Sequence, residues 1–176
     1  LSLEVVPESI EAIDISNLSS EHITAGLIRV DDSKFNKSGY RTYKIRSTDG
    51  QDDYKAMCEA LERRFAHKEE QPLPDLLLLD GGKGHVGVVR SLMLRLGIDV
   101  PVFGMVKDDS HRTRALVTPD GREIAITAQQ SVFSFIGNIH LNACSVNNLI
   151  NCLATLTDNI TDFLGINRNL DNLRCI

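Results

Sequence analysis

Residues Leu76 to Gly84 read LLLLDGGKG, an uninterrupted apolar run that closes on an aspartate and two glycines. Four consecutive leucines leave no face for water, so the segment reads as a central strand covered on both sides. Asp80 stands at its carboxyl end, where open α/β sheets place their ligands. Gly81 and Gly82 let the backbone turn there and begin a helix beside the carboxylate. An ionised carboxylate next to such a core is costly unless a cation or hydrogen-bond donors compensate it. Asp80 is therefore a candidate metal ligand whose partners must come from elsewhere in the chain.

The flanking segments supply the rest of a sheet. Ile10 to Ile15 (IEAIDI) reads as a short strand carrying Asp14 near its end, and Ile23 to Val30 (ITAGLIRV) as a second. Asp31-Asp32-Ser33 is a polar turn, and Tyr40 to Ile45 (YRTYKI) alternates large and basic residues as a strand with one wet face. Short polar connections make these three strands an antiparallel meander. The period then changes. Tyr54, Met57, Cys58, Leu61 and Phe65 form one helical stripe over Asp52 to Phe65, whose N-terminus is favoured by Asp52 and Asp53. Pro72 and Pro74 mark a loop before the Asp80 strand. Gly82 to Leu96 reads as a second helix stopped by Gly97, and Pro101 to Val106 as a fifth, apolar strand. Leu116 to Ile126 holds a hairpin turning at Pro119-Asp120-Gly121.

The order β-β-β-α-β-α-β describes a mixed five-stranded sheet flanked by helices: three antiparallel strands, then helix-linked parallel ones. It is the order of the ribonuclease H-like α/β fold, whose nucleases set carboxylates on the first and fourth strands. Asp14 and Asp80 occupy those places.

Composition bounds the alternatives. A chain of 176 residues with 42% apolar and 24% charged content suits one well-buried domain. Its apolar runs fall well short of the ~20 residues a membrane span needs, so no membrane partner is expected. No basic leader followed by an apolar core opens the chain, and Leu1 is not a natural start, so a fragment of a longer protein is expected. Cys58, Cys144, Cys152 and Cys175 form no CxxC pair, which fits reduced thiols in a cytoplasmic protein. The net charge of −5 argues mildly against whole-surface nucleic-acid binding but leaves room for a local basic groove.

The tail differs in kind. Residues 137–176 hold 9 asparagines against 2 in the preceding 136, and only Arg168 and Arg174 are basic there. A core over residues 1–136 and a divergent helical tail over 137–176 are therefore expected.

Five blocks, IEAIDISNLSSEH, NKSGYRTYKI, DDYKAM with LERRF, PDLLLLDGGKG and GMVKDDSHRTRALVTPDG, run in an order that resembles one family. It is the C-terminal ribonuclease H-like endonuclease domain of the excinuclease UvrC family, and the resemblance covers roughly residues 8 to 136. It implies a metal-dependent endonuclease making the 5′ incision in bacterial nucleotide excision repair. The implied partners are damaged double-stranded DNA and a UvrB–DNA complex, with UvrA upstream. The 3′ incision belongs, by the same resemblance, to a separate GIY-YIG domain without counterpart here.

By that resemblance Asp14, Asp80 and Asp53 match catalytic carboxylates, and Asp14 and Asp80 would hold Mg²⁺ or Mn²⁺. Hard carboxylate oxygens suit either ion, which would activate water for phosphodiester hydrolysis. The family's third catalytic residue is a histidine in a stretch like IQDEVHRFAI. Aligned through VFSFIG, this chain places Cys144 there, with His140 one helical turn earlier. A thiol fits Mg²⁺ poorly, so a weakened nuclease is expected.

The basic residues suit DNA contact. Lys83 begins a helix, where a phosphate is favoured. DGGKG lacks the first glycine and the final Ser/Thr of a phosphate-binding loop, having Leu77 and Gly84 there, so nucleotide hydrolysis is excluded. Lys107, His111, Arg112 and Arg114 could clamp phosphates beside the metal, or Asp108 and Asp109 could simply neutralise them. Arg41, Lys44 and Arg46 could add a basic strand face. His22, His67 and His85 show no ligand-like spacing and read as surface or helix positions. The competing reading is a catalytically weakened DNA- or partner-docking module with the same fold; a small-molecule site resting on the glycine turn alone is the third.

Overall fold

The computed structural model describes residues 6–19, 22–46, 52–109, 112–128 and 130–146. Strand β1 (Ser9–Ser19) pairs antiparallel with β2 (His22–Asp31) and parallel with β5 (Leu76–Asp80), which pairs parallel with β6 (Val102–Lys107). The short β3 (Lys34–Phe35) and β4 (Arg41–Lys44) both add to β2. Strands β7 (Thr113–Val117) and β8 (Glu123–Ala125) extend the other edge antiparallel, giving the order β3-β2-β1-β5-β6-β7-β8. The expected meander and parallel core are present. The hairpin that sequence placed after the fifth strand joins the same sheet, which reaches eight strands rather than stopping at five.

Local chemistry explains the joints. Asp32 and Ser33 both have positive φ, at 49° and 62°, the requirement of a two-residue turn between strands of right-handed twist. Helix α1 (Asp53–Ala66) starts where the Asp52 side chain accepts the Lys55 amide. Helix α2 (Lys83–Leu96) ends at Gly97, whose φ of 64° suits a residue without Cβ. A third helix, α3, covers 130–146.

The strand period of two divides the core. Ile13, Leu77 and Leu79 pack with Met57 and Leu61 of α1 and with Val86, Val89 and Leu92 of α2. Ile10, Ala12, Leu76 and Leu78 point the other way and pack with Ile136, Ile139 and Ala143 of α3. Burial on both faces is what Leu76 to Leu79 demand. Each such side chain removed from water contributes about 1.5–3 kcal/mol, so the sheet is held by the leucine strand at its centre.

The helical stripe differs from expectation at two positions. Tyr54 is 47% exposed and leans outward, while Arg64, which the stripe does not include, is 1% exposed. Arg64 is buried because Glu11 on β1 is buried beside it. Its Nε and Nη2 donate to the Glu11 carboxylate at 2.8–3.1 Å, and the remaining Nη donors meet the carbonyls of Gln71 and Pro72. Helix α3 runs through residue 137 and packs on the core, and residues 147–176, most of the expected tail, lie outside the described residues.

Candidate active site

The alternation that buries the leucines also aims the carboxylates. Asp14 and Asp80 share parity with Ala12 and Leu78, so both leave the sheet on the α3 side. The parallel register pairs Ile13 with Leu79; one residue further, at the end of β5, it sets Asp80 beside Asp14, which lies midway along β1 because that strand runs on to Ser19 rather than stopping at Ile15. The two carboxyls are within hydrogen-bonding reach, and Asp14 is 6% exposed. A one-residue slip in register would part them.

Two cationic side chains complete the group. Lys107, at the end of β6, places Nζ 2.9 Å from Asp80 Oδ2. His140, buried on α3, places Nε2 3.7 Å from the same oxygen and 3.4 Å from Cys144 Sγ. Burial opposes ionisation of Asp80, but hydrogen bonding with His140, Asp14 and Lys107 prevails and holds its carboxyl well below the usual range. The hydrogen bond to Asp80, then that to Cys144, raises His140 to about 9 against its burial. Burial tends to neutralise Lys107, yet the Asp80 carboxylate keeps its ammonium above the ordinary value. Lys107 and His140 thus already neutralise Asp80, and an external cation would bind there by taking their place.

A cleft of about 390 Å³ opens over these strand ends. Asp53 and His85 line it from the first turns of α1 and α2, opposite the α3 side, together with Gly81, Gly82, Met105 and Lys107. Gly104 on β6 is needed here, since a Cβ would strike the Gly81 carbonyl and the Val86 and Val117 side chains. His85 lies against Gly81 and stacks obliquely on Tyr54 with ring centroids 4.6 Å apart. Burial holds its imidazole below the ordinary value despite the charges of Asp53 and Asp80. Two histidines therefore flank Asp80 with opposite poise, His140 charged and His85 neutral, the pattern that separates acids from bases at a site.

The structure brings together Asp14, Asp80 and Lys107, and sets Asp53 on the wall of the same cleft. It also joins His140 and Cys144 to Asp80, because residues four apart share a helix face. The other basic residues stand apart. Arg112 is held by Asp108, its amide on Oδ1 at 2.9 Å and its Nε on Oδ2 at 3.3 Å. Arg114 forms a two-pronged exposed pair with Glu123 at 2.7 and 3.1 Å. Lys83 packs along the Gly121 turn of the β7–β8 hairpin. His111 lies outside the described residues. Sequence reading missed His85; its one signal is its place in the first turn of the helix after Asp80-Gly81-Gly82.

Comparison with known proteins shows the family. The family described as the UvrC RNAse H endonuclease domain matches residues 1–144. UvrABC system protein C of Caldicellulosiruptor saccharolyticus is 43% identical over 140 residues, covering 79% of this chain and 23% of that protein. The Clostridioides difficile protein of the same name is 40% identical over 139 residues, covering 79% and 22%. The chain spans about a quarter of the length of the curated relatives it matches. Human ENDOV overlaps with a TM-score of 0.45 at 13% identity over 68% of each chain, too distant to carry a functional argument.

Proposed function

Because this chain belongs to the UvrC RNAse H endonuclease domain family, we propose that it hydrolyses a phosphodiester bond 5′ of a lesion during UvrABC excision repair. The substrate is damaged double-stranded DNA presented by a UvrB–DNA complex, and UvrA acts upstream. Asp14, Asp80 and Asp53 are the catalytic carboxylates. What carries the reading is the placement of Asp14, midway along β1, beside Asp80 at the carboxyl end of the parallel β5, on one face of the sheet.

The donor set fits the divalent ion that the family implies. Asp14 and Asp80 offer hard oxygens for Mg²⁺ or Mn²⁺, and two side-chain cations already satisfy Asp80. Such an ion would supply polarisation of the phosphate and a lowered pKa for an attacking water. Lys107, released from Asp80, is placed to hold a non-bridging phosphate oxygen. His140, charged and in contact with Asp80, is placed to give a proton to the leaving oxygen. His85, neutral on the opposite wall, is placed to orient the attacking water. Lys83, His111, Arg112 and Arg114 position the strand by its phosphates, Arg112 and Arg114 exchanging carboxylate partners for phosphate.

The test is nicking of a lesion-bearing duplex by this chain with UvrB. Incision that needs Mg²⁺ or Mn²⁺ and stops on chelation supports the reading; cutting that is indifferent to chelation removes it. One observation favours a second reading, a weakened docking module: a thiol, Cys144, occupies the family histidine's place. That reading expects salt-sensitive binding to damaged DNA without nicking.

A further inference from the structure

The atoms around Asp80 define a second metal site of different chemistry. Asp80, His140 and Cys144 each offer one ligand atom, and all three lie within 4.8 Å of one another. They are an oxygen, an imidazole nitrogen and a sulfur. Sulfur is a poor ligand for Mg²⁺ and a good one for Zn²⁺. We propose that Asp80, His140 and Cys144 bind Zn²⁺, with the fourth position open to water.

Distances support this. Zinc binds sulfur at about 2.3 Å and nitrogen or oxygen at about 2.0–2.2 Å, so tetrahedral geometry separates S from N by about 3.6 Å and N from O by about 3.4 Å. Here Cys144 Sγ is 3.4 Å from His140 Nε2, and His140 Nε2 is 3.7 Å from Asp80 Oδ2. Both of these separations are within a few tenths of an ångström of the tetrahedral values, and the sulfur and the carboxylate lie within 4.8 Å, a gap that rotamer adjustment closes. His140 and Cys144 also stand at i and i+4 on α3, the spacing by which zinc-binding helices present two ligands on one face.

Charge and protons balance. Zinc binding sends the Cys144 thiol proton and the His140 imidazolium proton to solvent, because the ligating forms are thiolate and neutral imidazole. The two protons released offset the ion's two charges, and Lys107 Nζ, bonded to the same Asp80 oxygen, yields that contact or moves to the other carboxylate oxygen. Asp80 is common to this set and to the Asp14–Asp80 pair, which makes zinc a competitor of the hard ion. The zinc site does not depend on the proposed nuclease role, since its ligands are of this chain alone.

The experiment uses the full chain, reduced and stripped of metal, titrated with Co²⁺ as a spectroscopic substitute and then with Zn²⁺. The expected result is one equivalent of Co²⁺ giving a sulfur-to-cobalt charge-transfer band, displaced by Zn²⁺ and, because both ions use Asp80, weakened only by a large excess of Mg²⁺. Cys144→Ser should lose the band and weaken Zn²⁺ by more than the roughly 10–100-fold cost of losing a supporting group, whereas Cys58→Ser keeps both. A missing band, or one that survives in Cys144→Ser, overturns the proposal. Should Cys144→Ser fold poorly by circular dichroism, alkylation of the unaltered chain decides. Zn²⁺ should shield Cys144 from iodoacetamide in peptide maps, and an unshielded Cys144 refutes the site. Neither readout needs DNA or UvrB, so absent incision leaves the zinc site standing and an absent band leaves the nuclease reading standing.

Discussion

Glu11 and Asp14 stand three residues apart on β1, both buried, and on opposite faces of the sheet. Glu11 faces α1, where Arg64 grips it with two nitrogens and Arg29 adds a third contact at 3.0 Å. Arg29 Nε also donates to Asp31 at 2.8 Å, and further guanidinium donors end on the carbonyls of Gln71 and Pro72. Glu11 and Arg64 are fully buried at the centre of that cluster, which ties the end of α1 to β1, to β2 and to the loop before β5. Asp14, midway along β1, and Asp80, at the end of β5, face α3, where the neighbours are an ammonium, an imidazole and a thiol beside an open cleft. These neighbours can exchange for a metal or a phosphate. The difference lies less in the charges than in access: planar guanidinium forks lock one geometry, while Lys107 and His140 hold Asp80 without filling its surroundings.

The comparison breaks most sharply at Asp80. Asp80→Asn keeps the size but removes the charge that would hold the ion, so incision should fall to background, and the loss of the anion shared by Lys107 and His140 should also lower the melting temperature. Unchanged incision in the same reconstituted mixture would end the catalytic assignment. The next effect is a gain. Helix α3 packs against the Asp14–Asp80 edge, so Cys144→His should raise incision, within the roughly 10²–10⁴-fold that a general acid–base group contributes. A variant no faster than the unaltered chain would show that His140 already does that work.

On the closed side the loss should be structural. Glu11→Gln strands the buried Arg64 guanidinium, while Arg29 keeps Asp31, and chemical denaturation should show about 3–5 kcal/mol less stability. A loss below about 1 kcal/mol would mean that the cluster is as replaceable as a surface pair.

The charged state of His140 predicts a pH signature in metal-free protein. Its folded value of about 9 lies above the ordinary 6.5, so its stabilisation is full below 6.5 and disappears as pH rises through 9. The melting difference between the unaltered chain and His140→Gln should shrink across that window; a constant difference would deny the ion pair.

The smallest effect lies at the other end of the sheet. Asp75 Oδ2 accepts the Glu8 and Ser9 amides at 3.0 and 2.8 Å and the Ser9 hydroxyl at 2.9 Å, but is exposed. The Ser9 amide, with lesser help from the Ser9 hydroxyl and the Glu8 amide, lowers its pKa against a weak opposing effect of burial. Its contribution is therefore full above the ordinary 3.8 and lost as pH falls beneath it. Asp75→Asn should cost no more than about 1 kcal/mol at neutral pH, and nothing in acid, in urea titrations at the two conditions.

Sequence alone determined the scaffold. Four leucines ending in Asp80, the helical stripe of Met57, Leu61 and Phe65, and the stop at Gly97 are local patterns, and each became the element it announced. Hydrophobic periodicity carries that information because burial acts on each side chain in turn. Tertiary structure decided the rest. Asp14 and Asp80 are 66 residues apart and meet only because a crossover lays β5 against β1 in one register. The same long-range pairing chose Arg64 for the interior, brought His85 to the cleft, gave Arg114 to Glu123, and set His140 and Cys144 together on Asp80. Charged and metal-ligating side chains are chosen by partners distant in sequence, and no local period records where those partners will stand.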